Sequence, residues 1–483
     1  MGNMKSLARD TAIYGLSSIV GRFLNYLLMP LYTHVISASQ GGYGVVTNLY
    51  AYTALVLVML TFGMETTFFR FANKGDDEPD TVFTTAFALV TALALAFLLG
   101  VWWRADGIAA LLGYSGHVSY ILMMAMAVSL DAIQAIPFCL LRYQGHAVRF
   151  ACLKLLFIVL NIGLNLYFFL WVGVTDVWYV FMLNLVCTGI ISFFFVPDLL
   201  RIRWHFSLSL LWRMLGYSWP ILVLGIAGIL NQAVDKMIYP LVCPDQAEGI
   251  RQLGIYGACV KVAMIMAMIT QAFRYAYEPF VFARSRDADQ RQTYALGMKY
   301  FIIFTLLAFL CVMGGMPLLK HLIGAGYREG LGVVPIVMAA EIMMGVYFNL
   351  SFWYKLIDKT IFGAVFSLAG CTVLIAVNVL FIPRYGYMAC AWGGFLGYAT
   401  AMVLSYVVGQ HYSPIRYPLG SIAVYVLLAA FLYGLMTLVP GQWPDVARLA
   451  VNAVLVMAYV GHVLWHDFPL SGLPVVGRYF KKT

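Results

Sequence analysis

Ionisable side chains recur inside stretches of this sequence that are otherwise almost wholly apolar. The cations are Arg22, Lys154, Lys236, Lys261 and Arg274, and the carboxylates are Glu65, Asp131, Asp235, Glu278 and Glu341. On insertion scales a charge at bilayer depth costs roughly 2.5–3.5 kcal/mol, so such groups face a bundle interior or a watery cavity and mark function. Buried cations can hold an anionic headgroup. Arg matches phosphate with a planar fork and Lys supplies a point charge, so the two together suit a pyrophosphate. Arg22 and Lys261 are the leading candidates for that role, with Arg274 and Lys236 beside them.

Each assignment has a structural alternative. Lys154 stands near the end of its segment and can snorkel to the interface. Lys236 adjoins Asp235 and can form a fixed ion pair, and Arg274 and Glu278, four residues apart on one helix face, can bridge locally. The carboxylates Asp235, Glu278, Glu65, Asp131 and Glu341 can hold a coupling proton or cation, or can simply neutralise the cations. The sequence leaves both readings open.

The elements that must position these groups are membrane helices. The chain has 483 residues, 63% hydrophobic and 11% charged, where a soluble domain carries about 25% charge. Its mean hydropathy is +0.85. Apolar segments predict helices over 9–36, 40–71, 81–103, 118–142, 147–172, 177–200, 209–241, 253–283, 293–320, 331–356, 360–382, 387–409, 418–439 and 446–466, each long enough for the ~20 residues of a span. The expected fold is therefore all-α and polytopic, with about fourteen spans. Lys and Arg of the short connections favour the N-terminal side by roughly three to one, which predicts cytoplasmic termini and an external loop around Asp176. Lys5 and Arg9 precede a long apolar stretch with no small-residue cleavage pattern, so the first span is expected to be retained. The net charge of +9 reads as topology and not as nucleic-acid binding. The basic tail from Arg478 to Lys482 can lie on anionic headgroups or remain solvated.

An internal repeat orders the spans. Asn25 and Pro30-Leu31 recur as Asp235 and Pro240-Leu241, 210 residues on, while Tyr43-Gly44 and Glu65 recur as Tyr256-Gly257 and Glu278, 213 residues on. Asp131 and Glu341 fall at similar depths in the fourth and tenth helices. The expected organisation is two six-helix halves, 1–204 and 205–412, followed by two further helices and the tail in 413–483. Repeats of this kind commonly form transporters with a site between halves that rock. Pro137 is expected to kink the fourth helix.

The opening LARDTAIYGLSSIVGRFLNYLLMPLYT (7–33), the Tyr43-Gly44 start of the second helix and FGMETTFFRF (62–71) resemble the oligosaccharide and polysaccharide flippases of the multidrug/oligosaccharidyl-lipid/polysaccharide exporter superfamily. The resemblance implies a flippase in the bacterial cytoplasmic membrane whose substrate is an undecaprenyl-pyrophosphate-linked oligosaccharide. It also implies a place in surface polysaccharide or lipopolysaccharide synthesis, beside a polymerase and glycosyltransferases. The prenyl tail would stay in lipid, bordered by the last two helices.

Rival functions leave different marks. There is no Walker A loop, HExxH or nucleophile elbow, so no enzyme and no cofactor is expected. The eight cysteines include no CxxC pair, and no metal site is expected. A membrane polysaccharide polymerase or ligase would carry a large external loop. A multidrug exporter of the same superfamily would have twelve helices and fewer buried cations. A lipid II flippase would carry more Arg in its first two helices. Which glycan is carried has no spacing motif.

Overall fold

The computed structural model describes residues 28–38, 41–283, 290–357 and 359–467. The protein is an all-α polytopic membrane protein, and thirteen helices among the described residues are long and apolar enough to span a bilayer. They coincide with the second to fourteenth expected spans. Of the first, only α1 (Leu28–Val35) is described.

In chain order there follow α2 (Gly42–Thr61), α3 (Met64–Lys74), α4 (Pro79–Trp103), α5 (Ala105–Leu111), α6 (Val118–Tyr143), α7 (Ala147–Leu166), α8 (Trp178–Phe193) and α9 (Val196–Arg201). Then come α10 (Leu208–Val242), α11 (Gln246–Ala283), α12 (Gln290–Gly314), α13 (Met316–Leu319), α14 (Val334–Leu350), α15 (Phe352–Leu356), α16 (Ile361–Tyr385), α17 (Tyr387–Tyr412), α18 (Leu419–Leu438) and α19 (Asp445–His466). The described residues fall into two compact units. One takes those up to Ala258 with Asn378–Tyr387, and the other takes Cys259–Val377 with those from Met388 onward.

In the first unit the second span is broken, where the sequence predicts one helix. Phe62 and Gly63 both adopt left-handed backbone, at φ 51° and 68°, and α2 ends there. A Cβ on Gly63 would lie 3.1 Å from the Ile221 side chain and 3.2 Å from the Ser218 carbonyl, so the joint presses on α10 beside Pro220. Glu65 thus falls in the first turn of α3, where the positive end of the helix dipole favours a carboxylate. It is not one turn from the end of a continuous span. Pro137 lies inside α6, which continues to Tyr143. The core beneath joins Met64 and Phe68 of α3, Val82, Phe83, Ala86 and Val90 of α4, Ala132 and Ile136 of α6, and Leu210 and Met214 of α10.

Helices α2 and α11 approach closely enough that only glycine fits between them. A Cβ on Gly44 would stand 1.8 Å from the Ile250 carbonyl oxygen and 2.9 Å from the Gly254 nitrogen, and one on Gly257 would stand 2.4 Å from Thr47 Oγ1. Small residues permit such backbone contact in membranes, where helices gain little from hydrophobic association.

In the second unit the last two spans are fastened to α12 by polar bonds at several levels. Lys299 and Tyr425 both bond the carboxylate of Asp467, Tyr459 donates to the Ile303 carbonyl at 3.1 Å, and Asn452 donates to the Gly314 carbonyl at 2.9 Å. Beyond α12, Lys320 reaches Asp445 at 2.7 Å. Lys299 is only 8% exposed, so it is an interior ion-pair partner of Asp467. Burial pushes the Asp467 carboxyl up, but the bonds from Lys299 and Tyr425 hold it below the ordinary carboxylate range.

Gly44→Val forces α2 and α11 apart, because the obstacle is backbone. Overpacking of this kind costs about 1–3 kcal/mol. The expected outcome is a lower Tm for the purified variant, with Gly228→Val, at a position whose Cβ meets nothing, as the neutral control; equal Tm values would refute the close crossing.

Candidate functional site

The first unit gathers charge in two places. In one, Asp235 of α10, only 7% exposed, accepts a hydrogen bond from Tyr256 Oη of α11 at 2.8 Å. It also meets the neighbouring Lys236 ammonium at 3.0 Å. That ammonium donates in addition to the Gln232 carbonyl at 3.0 Å. Asn48 of α2 donates to the Lys236 carbonyl at 2.7 Å and receives Tyr114 Oη at 2.9 Å, while Tyr52 donates to the Met237 carbonyl at 2.9 Å. The backbone of α10 just before Pro240 is held from α2 by side chains, because the proline ring displaces the carbonyls of the preceding turn from helical bonding. Sequence spacing finds the Asp235–Lys236 pair. Tyr256 is flagged by the repeat but its bond to Asp235 is not, since the two residues lie on different helices.

In the other place, Lys154 lies on α7, Asp131 on α6 and Glu65 on α3. Lys154 and Asp131 are half-buried and Glu65 is exposed. The Lys154 ammonium stands 3.9 Å from the centre of the Phe138 ring, a cation–π contact that stabilises a partly desolvated charge. Lys154 thus has an aromatic partner on α6. Nearby, Tyr32 donates to Asn165 at 2.8 Å, and Asn165 donates to the Asn161 carbonyl at 2.7 Å, which adds uncharged polarity between α1 and α7.

The second unit holds the remaining candidates. Lys261 is half-buried on α11, and Glu341 is half-buried on α14. Arg274 lies over the Phe348 ring at 4.7 Å, beside Thr270 and Asn349. Neither of those two carries a charge, so the sequence offers no signal for them. Glu278 is in the helical backbone of α11, but its side chain lies outside the described residues, as does the whole of Arg22. No cluster of three His, Cys, Asp or Glu side chains suited to a metal occurs among the described residues.

The structure thus brings together Asp235 with Lys236, which places an ion pair inside the bundle. The chain belongs to the polysaccharide biosynthesis protein family, whose sequence pattern matches residues 38–331, more than half its length. Its fold is similar to those of several solved transporters. The structure of the lipid II flippase MurJ in an inward closed conformation superposes with a TM-score of 0.74 at 11% identity, covering 94% of this chain and 98% of that one. An inward-facing multidrug resistance MATE family transporter gives 0.63 at 14% identity over 83% and 97%. A point mutant of the Vibrio cholerae MATE transporter VcmN gives 0.56 at 14% over 84% and 96%. No curated protein sequence matches the chain.

Tyr256→Phe removes the hydrogen bond that Asp235 accepts at 2.8 Å. Hydrogen bonds to charged groups contribute about 1.5–3 kcal/mol, so the expected outcome is a lower Tm for the purified variant; a Tm equal to that of the parent protein refutes the bond.

Proposed function

We propose that this protein is a flippase that carries an undecaprenyl-pyrophosphate-linked oligosaccharide across the bacterial cytoplasmic membrane by alternating access, for surface polysaccharide or lipopolysaccharide synthesis. Family membership over residues 38–331 carries the reading, and the fold shared with a lipid II flippase supports it. A physical need supports it as well. Each sugar hydroxyl left without a partner costs some kcal/mol in hydrocarbon, and a polar path through the bundle removes that cost. Arg22, Lys261, Arg274 and Lys236 serve the pyrophosphate, while the prenyl tail remains in lipid. Glycosyltransferases supply the substrate and a polymerase consumes the product. Both termini are cytoplasmic, and the repeat fits two six-helix halves with two added spans.

A second reading, a lipid II flippase, is favoured by the TM-score of 0.74 over 94% of the chain. Growth of cells depleted of their own lipid II flippase, with this chain expressed, separates the two. Continued growth favours lipid II, and arrest favours the oligosaccharide.

Arg22→Ala and Lys261→Ala are each expected to abolish surface glycan export at near-normal membrane levels, because the cations serve the headgroup more than the fold. Glycan display and immunoblotting of the membrane fraction measure the two quantities; normal export by both variants refutes the headgroup assignment.

The membrane potential drives the cycle in this reading. Two negative charges moving outward gain about 4.6 kcal/mol at 100 mV, at roughly 2.3 kcal/mol per charge. Flipping in reconstituted vesicles is expected to stop when the potential is clamped to zero and to persist when only the pH gradient is removed. The reverse pattern, with Asp235→Asn and Glu278→Gln inactive, establishes proton or sodium exchange at those carboxylates instead.

A further inference from the structure

In the second unit the end of α13 and the start of α19 meet in a cluster of charges that glycan transport does not use. After α13 the chain makes a short turn over Lys320–Leu322, and two side chains of that turn reach the first residue of α19. Lys320 Nζ donates to Asp445 Oδ1 at 2.7 Å, and His321 Nε2 stands 3.1 Å from Asp445 Oδ2. Arg448, one turn into α19, brings Nη1 to 4.0 Å from the same Oδ1 that Lys320 already holds.

The carboxylate is therefore satisfied on both oxygens by the turn, and Arg448 is in surplus. A guanidinium has five donors and no acceptor, yet Arg448 Nε is buried and finds no hydrogen-bond partner among the described residues. Pro444 occupies the N-cap and no side chain caps α19, so the positive end of the helix dipole adds to the local charge. Two permanent cations against one carboxylate leave the cluster net positive, and protonation of His321 adds to the excess.

The cluster lies where spans end, since α18 stops at Leu438 and α19 starts at Asp445. Trp443 between them is exposed, in the setting where tryptophan marks the membrane interface. Leu318, Leu322, Leu438 and Val446, close along the chain to the charged residues, are exposed as well. Free phosphate would match the cations but leave this apolar surface uncovered, and a zwitterionic lipid would bring its own ammonium to a cluster that already has too much positive charge. We propose that Lys320 and Arg448 bind the phosphate of an anionic phospholipid, with phosphatidylglycerol as the type, whose acyl chains run over the exposed leucines. The bound lipid clasps the start of the last span to the turn after α13, whatever substrate the chain carries.

The test uses the full-length purified chain, delipidated in detergent and titrated with phosphatidylglycerol or phosphatidylethanolamine, with bound lipid read by native mass spectrometry. Phosphatidylglycerol is expected to bind at least fivefold more tightly. Arg448→Gln weakens its binding about fivefold, as loss of one basic residue does at an anionic lipid surface, and abolishes the rise in Tm that the lipid gives the parent protein. Arg416→Gln, in the connection before α18 and so at its other end, leaves both unchanged. Asp445→Asn removes the carboxylate that competes with the phosphate and is expected to tighten binding severalfold, where a purely structural ion pair would leave it the same or weaker. Equal binding of the two lipids, binding untouched by Arg448→Gln, an equal loss in Arg416→Gln, or no gain in Asp445→Asn overturns the proposal. Displacement of phosphatidylglycerol by an equal concentration of inorganic phosphate overturns it by making this a free-phosphate site, and displacement by an equal concentration of undecaprenyl pyrophosphate overturns it by assigning the cluster to the carried lipid.

Discussion

Ionised groups cannot be left alone in hydrocarbon, and the arrangement of this bundle follows from that constraint. Asp235 is held by Lys236 and Tyr256, and Asp467 is held by Lys299 and Tyr425. These contacts join α10 to α11, and α12 to the segments around α18 and α19. Each pairing fixes which helices must be neighbours, because separating them strands a charge in a medium that does not solvate it. Packing then adjusts around these fixed points, with glycines such as Gly44 where backbones cross most closely.

Pairing also bears on what the charges can do. A carboxylate already matched by a lysine of its own chain, as Asp235 is by Lys236, has less need of a proton or metal ion. Arg274 has a different setting, held over the Phe348 ring at 4.7 Å.

Much of the fold was legible in the sequence, because twenty apolar residues in a row admit few structures other than a spanning helix. The spans from the second onward lie where hydropathy puts them. The break at Phe62–Gly63 was not legible, since a left-handed non-glycine residue leaves no trace in composition and depends on the contact with α10. The site was legible where partners are close in sequence, as for Asp235 and Lys236, and obscure where they are far apart. Lys299 is 168 residues from Asp467. Thr270 and Asn349 were invisible for another reason: uncharged polar residues are common in membrane helices, and charge patterning gives no signal for them.

The Lys299–Asp467 pair has a consequence for biogenesis. A ribosome delivers the helix bearing Lys299 well before it delivers Asp467, so the two halves of the pair meet only after the last span has been made. The bond therefore ties the order of synthesis to the packing of the second unit, with α12 waiting for the segment that supplies its counter-ion.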